Sequence, residues 1–348
     1  MLLFELSILL LCIVVGARCG GIALGTVSGM GLLLFVLVLG MPPGNPPAVV
    51  LGMILAVITA LSMMEAAGGL TYLVETAEKL LRRNPARITF LAPLVTYALI
   101  FAAGTQHVIY SLLPVIAEVS RKAGVRPERP MSMSVIAAQH GLVASPVSAA
   151  TVALIAGLAG LQVSLIDIMM ITIPATLLGV FAGIVSVLRR GASLSEDPVY
   201  QERLATGSVT PPEQQAPLEG VTRRRAIGSC AVFLGAVGLV VLLGLFPGLR
   251  PTYQLGLGAD AVNAQANMSQ LIMIIMLAAG GIITLAFKAS PARAISGKLM
   301  SGGLVAIISI LGVSWLGSSF FAANENTIVD GISAAINAYP WVLSLIHI

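Results

Sequence analysis

Gly104-Thr105-Gln106-His107 lies in the middle of a run, Ile88 to Ala117, that holds no charged residue, and Ala144-Ser145-Pro146-Val147-Ser148 divides a second such run, Met131 to Ile166. Polar groups at helix breaks inside apolar sequence suit one chemistry above others. Unpaired backbone N–H groups and the positive end of a helix dipole can hold an anion, helped by nearby hydroxyls. The candidate substrate-contacting residues are Gly104, Thr105, Gln106 and His107 at the first break, Ser145, Pro146, Val147 and Ser148 at the second, and Gln139 ahead of it. Polar groups at membrane depth default to function, but the plainer alternative at each position is packing: a kink between helices, or for His140 a core histidine bonded to a backbone carbonyl.

Other chemistries find less support. An intramembrane hydrolase needs a nucleophile beside a base; Ser145 with His107 or His140 would have to serve, and no Gly-x-Ser-x-Gly is present. Cys12, Cys19 and Cys230 have no metal spacing and read as buried thiols. Glu65, Glu118 and Asp167 stand at the ends of apolar runs and read as solvated interfacial carboxylates. Gly25-x-x-x-Gly29 reads as a helix contact, because no strand precedes it as a phosphate loop would require. The net charge of +4 comes from short basic groups beside apolar runs, without interleaved aromatics, which excludes a nucleic-acid surface.

The elements that must position these residues follow from composition. With 348 residues, 57% apolar and 10% charged, the chain is an all-α polytopic membrane protein in expectation, and its 36 Gly and 19 Pro supply breaks. Crossing helices are read at 2–17, 20–39, 47–64, 131–162, 166–188, 226–247, 269–287 and 300–321. Met1-Leu-Leu-Phe-Glu5 has no basic stretch ahead of its apolar run, unlike a cleaved signal peptide. Basic and neutral loops alternate. Placing the basic ones inside puts 18 of the 19 Lys and Arg residues in the cytoplasm and the N-terminus outward.

Two runs break this alternation. Ile88 to Ala117 has basic clusters at both ends, so both ends belong to one side; folded at Gly104 to His107, each arm is about 22 Å, short of the roughly 30 Å of hydrocarbon. A re-entrant hairpin over 88–120 is expected. Met131 to Ile166 is too long for one crossing and too short for two, so the helix 131–162 is expected to be discontinuous, restarting with Ser145 as cap and Pro146 at its first position. Residues 65–87 read as an amphipathic interfacial helix, with Leu70, Leu73, Val74, Ala77, Leu80 and Leu81 opposing Glu75, Glu78, Lys79, Arg82 and Arg83. Three crossings and an amphipathic stretch recur after the cytoplasmic linker 189–225, as 226–247, 269–287, 300–321 and 322–339. Residues 1–188 and 226–348 therefore read as inverted repeats, the second incomplete, an architecture of secondary transporters.

Gly16-Ala-Arg-Cys-Gly-Gly-Ile-Ala-Leu-Gly25, Ala66-Ala-Gly-Gly-Leu70, Ala77-Glu-Lys-Leu-Leu-Arg-Arg-Asn-Pro85, Gly104-Thr-Gln-His-Val-Ile-Tyr110 with Leu113-Pro114, Arg126-Pro-Glu-Arg-Pro130 and Ala144-Ser-Pro-Val-Ser148 together resemble the anaerobic C4-dicarboxylate transporter (Dcu) family. The resemblance covers nearly the whole chain. It implies an ion-transporter-superfamily-like fold and a multi-pass carrier of the bacterial inner membrane, not an enzyme. The cargo it implies is fumarate, succinate, malate and aspartate, moved by exchange or by cation-coupled uptake. The implied partners are small dicarboxylate anions and the lipid bilayer, with a homodimer or a membrane sensor kinase as further associations. No cofactor is implied beyond a coupling H+ or Na+. Two positions depart from the family pattern: Gln106 stands where the family has Gly, and His140 where it often has Met. The final residues Ser344-Leu-Ile-His-Ile348 also depart, which reads as an incomplete open reading frame lacking a second hairpin and a second broken helix. A transport-incompetent sensor or binding partner, or the membrane-embedded hydrolase, is the alternative reading.

Overall fold

Helices fill the apolar runs, and glycine, proline and asparagine set many of their ends. The computed structural model describes residues 1–158, 163–191, 194, 196–206, 222–255 and 262–338. Residues 192–193, 195 and 207–221 of the 189–225 linker, residues 159–162, and the apolar run after Pro340-Trp341 lie outside the described residues. Among the described residues the fold is all-α apart from one antiparallel ribbon, β1 (Thr252–Leu255) with β2 (Val262–Gln265), placed within the nearly neutral 248–268 connection. Thr252, Tyr253 and Val262 favour extended backbone there.

Among the described residues, seven helices are long and apolar enough to cross a membrane: Leu2–Cys19, Ala48–Ala66, Pro85–Ala103, Leu165–Val187, Arg223–Leu245, Met268–Phe287 and Lys298–Asp330. The 20–39 crossing is a shorter apolar helix, Ala23–Val38. The chain is therefore a multi-pass membrane protein. It divides into two compact units, residues 1–51 with the chain from 302 onward, and residues 52–301.

In the first unit, α1 (Leu2–Cys19) turns at Gly20 and Gly21 into α2 (Ala23–Leu33), which continues as a π turn over Leu34–Val38. The long helix α14 (Lys298–Ala338) lies against α2 with backbones touching: a Cβ on Gly25 would strike the Ile308 carbonyl, and one on Gly312 would strike that of Gly25. Gly29 faces open space, so of the two glycines expected at a helix contact Gly25 makes it, and Gly312 is its counterpart on α14. The bend after α2 is held by α14, whose Trp315 Nε1 donates to the Gly44 carbonyl at 2.7 Å, while Gly44 N donates to Ser319 Oγ at 2.9 Å. Helix α14 does not end near 321. The 298–338 helix has no proline and no left-handed glycine at 322, whereas Gly68, at φ 81°, separates α3 (Ala48–Ala66) from α4 (Gly69–Arg83).

In the second unit, α4 starts at Gly69, later than the expected 65, because Glu65 and Ala66 close α3. Its apolar face covers other protein: Leu70, Leu73, Val74, Ala77 and Leu81 pack on a core formed by α5 (Ile88–Ala103), α6 (Ile109–Lys122) and α7 (Glu128–Ala144), while Leu80 is exposed. Beyond these lie α8 (Ala149–Gly157), α9 (Leu165–Val187), α10 (Pro198–Ala205), α11 (Arg223–Leu245), α12 (Met268–Phe287) and α13 (Pro291–Ser296). Asp197 caps α10 and accepts from Arg126 Nη1 at 2.8 Å. Cys12 and Cys230 are buried as expected, but Cys19 is exposed, because it ends α1 at the Gly20-Gly21 turn.

Candidate functional site

Helix α5 stops where Gly104 adopts the left-handed conformation, φ 67° and ψ 13°, its N–H returning to the Ile100 carbonyl at 2.8 Å. Thr105 and a single 3-10 turn, Gln106–Val108, then redirect the chain into α6. The 16 residues of α5 and 14 of α6 make arms of about 24 and 21 Å, each shorter than a hydrocarbon core of about 30 Å. Length and apolarity alone would admit 85–103 as a crossing, but the chain turns at Gly104 and α6 runs back to bring Glu118 beside Arg82. Glu118, near the end of α6, accepts two bonds from Arg82 just ahead of α5, Nη2 at 2.8 Å and Nη1 at 3.3 Å, and a further one from Lys122.

That ion pair corrects the reading of Glu118 as a solvated carboxylate: its side chain is 14% exposed. Arg82, and then Lys122, hold its carboxyl down at about 2. In turn Glu118, with Glu78 at 2.7 Å, raises the Arg82 guanidinium above its ordinary value. The hairpin is thus fastened at its open end.

The second break sits between α7 and α8. Ser145 is extended, at φ −69° and ψ 129°, and its N–H bonds the Leu142 carbonyl at 3.3 Å. The cap of the restarted helix is Ser148, whose Oγ accepts from Thr151 N at 3.2 Å. Ser145 instead accepts from Val147 N at 3.4 Å, within the turn that separates the helices, so the helix restarts three residues later than Pro146 suggests. Thr151 Oγ1 donates to the Val143 carbonyl at 3.2 Å, and because it has one proton, Ser148 Oγ must be the donor in the 3.0 Å contact between the two hydroxyls. Ser145, Val147 and Ser148 are fully buried and Thr151 nearly so. Sequence reading missed Thr151; its signal was a hydroxyl residue three positions after Ser148, the spacing of a cap and its N3 partner.

These two breaks meet. A Cβ on Gly104 would lie 2.8 Å from Val147 Cγ2 and 3.1 Å from the Val147 carbonyl oxygen, so the hairpin tip rests on the turn of the broken helix. The contact is built from below by α5 and α7, which run side by side with Gly141 against Tyr97, where a Cβ would lie 2.7 Å from the Tyr97 carbonyl. Val108 and Ile109 close the tip from the α6 side and are buried. Gly104, Thr105 and Gln106 are half-buried, and Pro146 is buried within the turn. The Gln106 side chain buries its Oε1 without a hydrogen-bond partner among the described residues. The backbone of His107 belongs to the 3-10 turn; its side chain lies outside what is described.

Gln139 is not part of this contact and occupies the exposed face of α7. His140 also points elsewhere: its Nδ1 pairs with the Ile136 carbonyl at 2.9 Å and its Nε2 would be 3.0 Å from a Cβ on Gly179 of α9. With His140 so bonded and Ser145 accepting from Val147 N, these two do not form a nucleophile and base. Among the described residues, no three His, Cys, Asp or Glu side chains gather as a metal site.

Residues 1–348 match a family described as the anaerobic C4-dicarboxylate membrane transporter. The C4-dicarboxylate transporter DcuA of Escherichia coli (strain K12) is 39% identical over 348 residues, covering 99% of this chain and 78% of the relative. DcuA of Wolinella succinogenes is 37% identical over 345 residues, covering 99% and 77%. The anaerobic C4-dicarboxylate transporter DcuB of Escherichia coli O157:H7 is 36% identical over 356 residues, covering 98% and 77%. No solved structure matches the chain.

Proposed function

Since the chain belongs to the anaerobic C4-dicarboxylate membrane transporter family, a family of carriers and not of enzymes, we propose that it carries C4-dicarboxylates through the hairpin tip and helix break. The observation that supports this most is the contact between Gly104 and Val147, which joins the two interruptions inside charge-free sequence. A restarted helix leaves N–H groups without intrahelical partners. Ser148 takes that of Thr151, and the N–H groups of the turn ahead of it are the ones a first helical turn offers to an acidic ligand. The dipole of α8 favours the same charge.

The finer reading is exchange or cation-coupled uptake of fumarate, succinate, malate and aspartate, with H+ or Na+ as the coupling ion. The hairpin is re-entrant, the N-terminus faces outward and the membrane is the bacterial inner membrane. Two arms shorter than the hydrocarbon and the placing of 18 of 19 basic residues on one side support that arrangement. Counterflow tests the function: proteoliposomes loaded with unlabelled succinate should accumulate labelled fumarate transiently. An enzyme or a binding-only protein gives no such overshoot, and a channel gives no stimulation by internal substrate.

A further inference from the structure

The described hydroxyls around the break bond within the turn itself. Ser148 donates to Thr151, Thr151 donates to the Val143 carbonyl, and Ser145 accepts from Val147 N. Gln106 differs: its Oε1 is shut away from solvent, and no described group donates to it. It lies two residues beyond Gly104, which touches Val147, and just ahead of Val108 and Ile109, 1% and 5% exposed. A buried carbonyl oxygen without a donor carries a desolvation cost that an N–H or O–H would relieve. A carboxylate does not relieve it, because acceptor then faces acceptor.

We infer that Gln106 reads a donor substituent on C2 of the substrate, so that the carrier favours amino- and hydroxy-substituted C4-dicarboxylates over unsubstituted diacids. The inference rests on the C4-dicarboxylate reading of this site. An ammonium group is preferred to a hydroxyl, because a charge-assisted bond is stronger and the low local dielectric magnifies the difference. The ammonium also offsets part of the substrate's negative charge where the flanking runs, Ile88 to Ala117 and Met131 to Ile166, contain no Lys or Arg.

Competition separates the possibilities. Exchange of labelled succinate is measured in proteoliposomes against unlabelled L-aspartate, L-malate, fumarate and succinate, for the wild type, Gln106→Leu and Gln106→Glu. The wild type should be inhibited by aspartate at lower concentration than by unlabelled succinate. Gln106→Leu, close in volume but without an acceptor, should need about tenfold more aspartate relative to the succinate needed by the same variant. Gln106→Glu keeps an acceptor and should keep the aspartate preference. Equal weakening of all competitors in Gln106→Leu overturns the inference, since it means an N–H donated to a carboxylate. No change in any competitor overturns it in favour of packing. If Gln106→Leu loses exchange altogether, Gln106→Glu decides, and loss of its aspartate preference overturns the inference. A wild type that exchanges no C4-dicarboxylate removes the reading of the site, and the inference falls with it.

Discussion

Gly104→Ala tests the contact between tip and break with one methyl group. The new Cβ meets two independent penalties. At φ 67° an L side chain occupies the left-handed region, at a cost of about 1–2 kcal/mol. It would also press on Val147 at 2.8 Å from Cγ2 and 3.1 Å from the carbonyl oxygen. Val147 is fully buried, so its backbone cannot step aside, and overpacking of this kind costs about 1–3 kcal/mol. Together they disfavour the assembled site by about 2–5 kcal/mol, roughly 30- to several-thousand-fold in its population at tenfold per 1.4 kcal/mol. The assay is labelled succinate exchange in proteoliposomes, with thermal unfolding in detergent to show that the helices remain assembled. Val147→Ala in the same chain removes Cγ2 but leaves the strained φ, so the double variant should recover about 1 kcal/mol relative to additivity. Exchange by Gly104→Ala within about twofold of wild type would refute the reasoning, because neither penalty is then felt.

Three other outcomes follow from the hairpin and the break. Glu118→Gln should loosen the hairpin base by about 1–2 kcal/mol, after allowing for screening of the partly exposed Arg82, seen as a lowered melting temperature. Since the folded carboxyl is held at about 2, below its ordinary 4.5, this contribution is complete above pH 4.5 and is lost as pH falls toward 2; the gap between wild type and Glu118→Gln should narrow over that window. Thr151→Val keeps the shape but strands the Val143 carbonyl and the Ser148 hydroxyl, and should cost about 1–3 kcal/mol in stability, whereas Thr76→Val on the exposed face of α4 should cost little. Single cysteines at Asn84 and Ala123 should react with an impermeant maleimide from the same side of the membrane, and labelling from opposite sides would contradict a re-entrant hairpin.

The breaks were legible because their causes are local. Gly104 and Pro146 each stand among polar residues in mid-run, and the lengths of the flanking runs then leave few ways to cross a bilayer; Pro93, Pro114 and Pro174, in apolar surroundings, stay inside helices. What the sequence could not disclose is which groups meet across distance. Glu118 resembles any interfacial carboxylate until α6 returns beside α4 and brings it to Arg82, 36 positions away. The cap passed from Ser145 to Ser148 because the turn around Pro146 takes three residues before helical backbone resumes. Glycine spacing identified Gly25 as a contact but not its partner, since Gly312 lies on a helix far along the chain. The recurrence of elements after the linker placed an amphipathic segment at 322–339 by analogy with 65–87, yet without a counterpart to Gly68 the helix continues through 321. Gln139 and His140 shared a polar pair's signature, and only the rotation of α7 separates them from the break.

Substrate protection of a cysteine at the tip tests most directly whether the tip and the break hold the substrate together. Thr105→Cys, in a protein with Cys12, Cys19 and Cys230 replaced by serine or alanine, is reacted with a membrane-permeable maleimide in the presence of succinate or of butyrate. Bound at the Gly104–Val147 contact, succinate should slow labelling about tenfold or more, while butyrate, with a single carboxylate, should leave it unchanged. Equal labelling rates with and without succinate, in protein that still exchanges it, would place the substrate elsewhere and contradict the account.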